Sequence, residues 1–576
     1  MVGIAMRTVR LPIWVGTLIA MVLLGETSAV AQAHTLTGWF TFIVADYLSD
    51  TGLASQTTYF LTEDSGERHK LLIDIALMQP LGGPVTLNRK RVTVVGEWEH
   101  GGPNASARFQ VHAIEYAPSP LAASSGGPFV QSAPGASTTL SAVPLAAESD
   151  SHVRGSQAWV TILCRFADVT DVTPHPVSFY EKMTRAAYPG LGHYWNEVSY
   201  GNLPDLAGSK VVGWYNLPRP QSYYRAIGEQ EYDTEKIQED CTAAADADVF
   251  FPDFDGFNLV FNRNFAPYDP SESPHAAARG GPWFITLDGE EDFWGATFLP
   301  EWAHEEQATW AHEMGHGLGL QHSSGPYDAT YDSGWDVMSD GQSLDPYPGY
   351  GHPGVHTIAY HKDFLGWIPP DRKYVAAPDT TRTITLERLA RPDADGYLMA
   401  QIPIGESDTD FYTVEARLFT GYDEEIPDEA VVIHKVDTTL EDRLAQVVDA
   451  DNNGDPNDDG AMWTVGEIFT DVENSLQVSI DAAYSSGYRV TINTDPATFS
   501  TCVAFLSPSS HLFGPSSGTA SVQVKASAGC AWSARSNTEW IRVTAGGSSS
   551  GSGSVSYAVT ANPRATTRTG TLTVGG

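Results

Sequence analysis

Cysteine is scarce in this chain, with four among 576 residues: Cys164, Cys241, Cys502 and Cys530. None lies near the N-terminus, so lipid attachment there is not supported, and none lies within residues 34–117, so no thiol from that region can cap a metal. Basic residues are thin as well, 33 against 71 acidic ones, for a formal net charge of −38. A surface this acidic repels phosphate backbones and excludes nucleic acid as an expected partner. It suits a soluble exported protein and one that holds calcium. The uncharged run from Ile13 to Leu24 is short for a membrane span. Arg7 and Arg10 precede it, and Ala29-Val30-Ala31 offers a small-x-small cleavage site before Gln32, with Ala31-Gln32-Ala33 as a second option. Residues 1–31 therefore read as a secretory signal peptide, and no stable membrane insertion is expected once it is removed. No short-period repeat runs along the chain.

What is present divides the chain into pieces. At about 150 residues per domain, this length predicts about four units, and 42% hydrophobic residues suffice to give most of them a core. Residues 34–117 alternate polar with aromatic or branched residues at Thr35 to Val44, Lys70 to Leu77 and Arg91 to Trp98, with Gly/Pro turns between. This predicts a small OB-like β-barrel. Residues 118–155, rich in Pro, Ala, Ser and Gly, read as a linker. Residues 156–370 mix strand patterns (Ala158 to Cys164, Phe257 to Phe261) with helical ones (Ser178 to Ala187, and Pro300 towards Gly317), which predicts an α/β or α+β domain. Residues 371–498 return to strands and predict a β-sandwich; residues 499–576 are again β, with a Ser/Gly loop from Gly546 to Gly553. The expected fold class is thus multidomain, an α/β (α+β) domain flanked by all-β domains.

The chemistry concentrates at His312-Glu313-Met314-Gly315-His316-Gly317-Leu318-Gly319-Leu320-Gln321-His322. Residues four apart share a helix face, so His312 and His316 can converge on one ion. Gly319 lets the chain leave the helix and turn sharply, which brings His322 round as a third nitrogen donor. Three protein ligands leave a fourth position for water, as a catalytic zinc requires. Glu313, beside the first ligand, can take a proton from that water and pass it to a leaving amine. H-E-x-x-H alone occurs by chance in ordinary helices. With 53 Gly and 17 His in the chain, adding the Gly and the last His cuts chance matches roughly 400-fold. His304-Glu305 also reads H-E, but Ala308 follows where a second His is needed, so that pair is expected on a helix surface.

This stretch resembles the metzincin signature. Gly334-Trp335-Asp336-Val337-Met338-Ser339 follows by a short loop, and Met338 looks like the family's Met-turn methionine beneath the metal. The family often places a Tyr after this turn; Ser339 and Asp340 stand there instead, and Tyr327 and Tyr331 lie upstream without an assigned role. Gly192 to Gly201, His356 to Ile368 and Trp463 to Asp471 are similar to segments of gametolysin-like and immune-inhibitor-A-like secreted peptidases. Together these cover roughly residues 156–498. The immune-inhibitor group often has Asp as third ligand, and His322 leans towards the gametolysin side. The resemblance implies a secreted zinc metalloendopeptidase that hydrolyses peptide bonds in extracellular proteins, with His312, His316 and His322 on the metal and Glu313 as general base. Two rivals stand beside it: a zinc hydrolase acting on a non-peptide bond, and an extracellular adhesin or glycan-binding protein that uses an inactive peptidase fold as scaffold.

Three further features carry expectations. Asp449, Asp451, Asn453, Asp455 and Asn457 alternate around Gly454 and are candidate Ca²⁺ ligands, although Gly460 stands where an EF-hand needs Glu; a solvated acidic turn is the alternative. Four cysteines allow three connectivities; because the two pairs lie in separate regions, Cys164–Cys241 and Cys502–Cys530 are expected. Finally, Cys530-Ala-Trp532, Trp540-Ile541 and Arg568 to Val574 resemble a BACON-type β-sandwich module, a kind suspected of binding glycans or mucins. Trp532 and Trp540 are expected in its core rather than as a sugar platform. The sequence ends where that family would add one more strand, the expectation for a truncated module.

Overall fold

The computed structural model describes residues 33–498 apart from 50–51, 100–106, 118–152, 205, 225–231, 266–277, 328 and 342–344. It also describes residues 504–575 apart from 509–510, 527–528, 539, 564–566 and 569. The expected signal peptide and most of the linker lie outside the described residues. The chain is multidomain and rich in β-structure, and no helix among the described residues is long and apolar enough to cross a membrane.

The N-terminal unit is a five-stranded barrel. Strands β1 (His34–Ser49), β2 (Gly52–Glu63), β3 (Arg68–Leu72), β4 (Arg91–Glu99) and β5 (Arg108–Tyr116) follow the order β2-β3-β5-β4-β1, and β1 also pairs with β2, which closes the ring. Short helices α1 (Ile75–Met78) and α2 (Gly83–Leu87) cap it between β3 and β4. Alternate residues of β1 and β4, among them Phe40, Phe42, Val92 and Val94, fill its core.

The next unit extends the same sheet. Strands β6 (Trp159–Arg165), β7 (Lys210–Asn216), β8 (Gly256–Phe261), β9 (Ala278–Leu287) and β10 (Glu290–Leu299) follow the order β9-β10-β8-β6-β7, with β9 antiparallel to β10 and the others parallel. Period-two alternation along β6 supplies both faces. Trp159 and Leu163 face one core with α3 (Val177–Thr184), α4 (Leu191–Val198) and α6 (Gln307–Leu318), whereas Val160, Ile162 and Cys164 face the other with α5 (Thr234–Ala245). Cys164 is disulfide-bonded to Cys241, which ties α5 to β6. Cys530 is also disulfide-bonded, and Cys502, its expected partner, lies outside the described residues.

Two expectations for this unit need correction. The helix expected to run from Pro300 is broken: a 3-10 turn covers Glu301–Glu305, Glu306 is extended, and α6 starts only at Gln307. Tertiary partners make the break. Gln307 and Ala308 donate their amides to Tyr350 and His352 carbonyls at 2.8 and 2.9 Å, and the Glu306 carboxylate accepts from the His352 amide. His304 is fully buried rather than on a surface, and its Nδ1 lies 3.0 Å from the Tyr180 hydroxyl. The end of the compositional linker is likewise docked, since the Val153 carbonyl accepts from Trp367 Nε1 at 2.7 Å.

Beyond α7 (Ala359–Phe364) two sheets face each other across a core that includes Val414, Ile433, Val478 and Val490. One contains β11 (Ser323–Ser324), β12 (Lys373–Val375), β14 (Met399–Pro403), β15 (Asp410–Arg417), β16 (Ala430–Asp437) and β17 (Ala445–Val447). The other contains β13 (Thr381–Glu387), β18 (Ile468–Asp471), β19 (Leu476–Tyr484) and β20 (Gly487–Asn493). Strand β11, immediately after His322, pairs with β17 and so joins the metal-motif segment to the sandwich. The last unit has a four-stranded sheet of β21 (Ala504–Ser507), β22 (Gly518–Ala526), β24 (Ile541–Ala545) and β26 (Gly553–Val559). A three-stranded sheet of β23 (Ala531–Ser536), β25 (Ser548–Ser550) and β27 (Leu572–Gly575) accompanies it.

Candidate metal centre

Helix α6 is buried along nearly its whole length, and small residues let it lie directly on its neighbours. A Cβ on Gly280 of β9 would come within 2.2 Å of the Glu313 carbonyl, and a Cβ on Gly315 within 2.4 Å of Met338 Sδ. Met338 is thus pressed against the helix turn between the two helical histidines. The helix ends at Gly319, whose φ of +105° is the left-handed conformation of a C-cap. The Leu320 amide then returns to the Gly315 carbonyl at 2.9 Å, and the reversed chain delivers His322.

The three rings are locked from behind. His312 Nδ1 lies 2.7 Å from the Val337 carbonyl, His316 Nδ1 2.8 Å from the Leu320 carbonyl, and His322 Nδ1 2.7 Å from Asp442 Oδ1. Each Nδ1 must donate to an oxygen, so each Nε2 of a neutral ring presents a lone pair. The three Nε2 atoms converge at 3.1–3.2 Å from one another. Three acceptors facing inward repel unless a cation lies between them. Tetrahedral zinc with nitrogens at about 2.0–2.1 Å needs them about 3.3–3.4 Å apart, so the residues present fit such an ion. Burial holds His316 down at about 4, which keeps that ring free to ligate. Burial also opposes a charge on His322, but the carboxylates of Asp442 and Asp46 outweigh it and raise that ring well above its usual value; a bound cation competes for the same electron pair as the proton.

Glu313 is 1% exposed, and its Oε2 has no hydrogen-bond partner. Burial first, and then the charge of Asp46, push its carboxyl well above the ordinary range. A buried carboxyl with one oxygen left unpartnered is costly for a structural residue and asks for a functional explanation. Tyr331, at φ +60°, holds its hydroxyl 3.2 Å from His322 Nε2 and donates it to Asp46.

Asp46 and Asp442 were not singled out in the sequence, yet both meet these histidines. Asp442 lies 120 residues from the ring it orients. Asp46 sits at the end of β1, with Oδ2 at 2.9 Å from His312 Nε2 and 3.5 Å from His316 Nε2, and Oδ1 at 3.2 Å from His322 Nε2. Asp46, His312, His316 and His322 form one four-donor cluster. The available signal was that Asp46 is the one charged residue between Thr35 and Leu48 in an otherwise uncharged strand.

The acidic loop assembles differently from its expected ligand set. Asp449, Asp451 and Asp458 come together. Asn457 turns away, accepting from the Gly334 amide at 2.6 Å and donating to the Asp332 carbonyl at 2.7 Å. Asn453 and Asp455 each accept the backbone amide two residues on. Tyr327 donates its hydroxyl to Asp449 and so belongs to this loop rather than to the histidines. In the C-terminal unit Trp532 is buried, and its Nε1 donates to the Gly551 carbonyl at 2.6 Å. Trp540 is half-buried under the Arg568 guanidinium, 4.1 Å from its ring centre. Both pack in their module rather than forming an open platform.

Residues 503–576 match the family described as the viral BACON domain, and that segment is similar to it. No curated protein matches the chain.

Proposed function

We propose that this chain is a secreted zinc metalloendopeptidase of the metzincin type, acting on peptide bonds of extracellular proteins. The observation that carries this reading is the convergence of three Nε2 atoms whose rings are each held through Nδ1 by an oxygen behind them. The Met338 contact beneath the helix and the unpartnered Glu313 Oε2 support it. His312, His316 and His322 would hold the zinc, which when bound polarises a carbonyl and makes water more acidic. Asp442 fixes the tautomer of His322 through Nδ1. Glu313 accepts a proton at Oε2 from the water as its oxygen bonds to the scissile carbon, and delivers that proton to the amine nitrogen as the C–N bond breaks. Tyr331, once its hydroxyl is released from Asp46, can donate to the oxyanion that develops on the scissile carbonyl. The C-terminal module is proposed as a glycan- or mucin-directed attachment unit.

The adhesin reading, with the peptidase fold as scaffold, has no use for a buried carboxyl beside the histidines whose Oε2 has no hydrogen-bond partner. Glu313→Gln separates the two. It keeps size and helix propensity, so zinc content should match wild type while casein cleavage falls about 10²–10⁴-fold. Cleavage by the variant at the wild-type rate, with contaminants excluded, would falsify the assignment of the base.

A further inference from the structure

The fourth donor of the cluster comes from outside the unit that carries the other three. Asp46 belongs to β1 of the N-terminal barrel, and β1 is also the strand that pairs with β9, antiparallel, at Val44–Gly280, Ala45–Arg279 and Asp46–Ala278. Strand β9 has β10 on one side and β1 on the other. Without the barrel, β9 would be the open edge of the α/β sheet, directly beside the helix that carries His312 and His316. An open edge is where an extended peptide adds as a further strand. The barrel therefore occupies both places that an incoming peptide chain needs: the edge and the fourth side of the histidine cluster.

We infer that the N-terminal barrel is an inhibitory unit that keeps the metal centre latent, with Asp46 as the removable fourth ligand; this rests on the peptidase reading above. Three protein ligands with one position open characterise a catalytic zinc, and four protein ligands a closed one. Asp46 closes the set. Its Oδ2 is buried among the histidines and accepts no well-formed hydrogen bond, while Oδ1 takes the Tyr331 hydroxyl. Asp46 thus occupies the fourth position and also engages the tyrosine that would otherwise serve the reaction.

The grip is backed by contacts along the same face. Trp39 packs on Phe284 and Phe293, each at 5.5 Å between ring centres, and the Arg68 guanidinium lies 4.0 Å from the centre of the Trp283 ring. Ser55 of β2 donates to Asp442, the orienter of His322, at 2.5 Å. The barrel therefore touches the centre through Asp46 and again, one residue removed, through Asp442.

The test uses the full-length chain loaded with cobalt(II), whose visible absorption reports the ligands around the ion, titrated with acetohydroxamate. In wild type the spectrum should resist the hydroxamate. In Asp46→Ala, and in Asp46→Asn, which preserves size should the alanine variant misfold, the spectrum should shift, with apparent affinity tighter by about tenfold or more. Removing an internal competitor raises the fraction of competent sites. Cleavage of a short fluorogenic peptide should rise in the same variants and vanish when Glu313→Gln is added, without loss of the hydroxamate response. Equal hydroxamate titrations of wild type and both variants would overturn the inference and leave the peptidase reading standing. Variants that open to hydroxamate yet cleave no better than Glu313→Gln would support Asp46 as the closing ligand and sink the peptidase reading instead.

Discussion

Two regions carry ligand-like spacing in the sequence, and they fold into opposite kinds of object. Around the histidines, every ring is anchored through Nδ1 to a partner outside the trio, and the three Nε2 atoms converge on one another. Around Asp449 to Gly460, the side chains spend themselves on their own backbone. Asp449 accepts the Asp451 amide, Asp451 that of Asn453, Asn453 that of Asp455, and Asp455 that of Asn457. Such a ladder of Asx turns satisfies the loop locally. A binding centre shows donors locked from behind and unsatisfied in front; alternating acidic spacing alone specifies a turn equally well.

The comparison can be broken first at the orienting carboxylate. Asp442→Ala leaves all three histidines in place but frees the His322 ring, and should weaken zinc about 10–100-fold, measured by competition with a chromogenic chelator. Unchanged affinity would mean that the ring is held by packing alone. Next comes the floor of the site. Gly315→Ala forces Met338 and the helix apart, an overpacking that should cost about 1–3 kcal/mol, read as a lowered denaturation midpoint with zinc stoichiometry retained.

A third test contrasts the histidine cluster with a buried ion-pair network that has no part in it. Burial alone would raise the Glu197 carboxyl, but the hydrogen bond and charge of His356, the Tyr422 amide and Arg391 hold it at about 2. Because the folded value lies below the unfolded 4.5, this pairing stabilises the protein above the unfolded value. The contribution drains away as pH falls from there towards the folded value. Glu197→Gln should flatten that part of the stability–pH curve by about 2–3 kcal/mol relative to wild type, while leaving zinc content untouched. Identical slopes would remove Glu197 from the account. The smallest effect is at the acidic loop. If the loop takes calcium, millimolar Ca²⁺ should raise the melting temperature of wild type by a few degrees, and Asp451→Ala should abolish the rise. No shift in wild type would make the loop a self-satisfied turn.

Legibility followed the reach of each interaction. His312, Glu313 and His316 sit within one helix turn, Gly319 ends that helix, and His322 follows three residues on, so backbone geometry alone brings them together. The strands at Trp159–Arg165 and Gly256–Phe261 were equally readable, because a short apolar run needs only burial to become a buried strand. The break at Glu306 was not readable. A Pro followed by acidic residues is a good helix start, and only the carbonyls of Tyr350 and His352, brought in by a distant loop, make a later start better.

By itself the sequence determined the three nitrogen donors, the general-base candidate and the methionine beneath them, because spacing along one helix and one turn is a local property of the chain. Tertiary structure alone decided what those donors face. It placed Asp442 behind His322, Tyr331 beside it and Asp46 in front, from a sandwich strand end, a loop and a barrel strand that are remote in sequence. The lone charge at Asp46 in its strand marks the residue as unusual but does not specify a ligand. The carboxylate acquires that role only because β1 closes the barrel on one side and pairs with β9 on the other, and sheet pairing between segments far apart in the chain is fixed by packing rather than by local sequence.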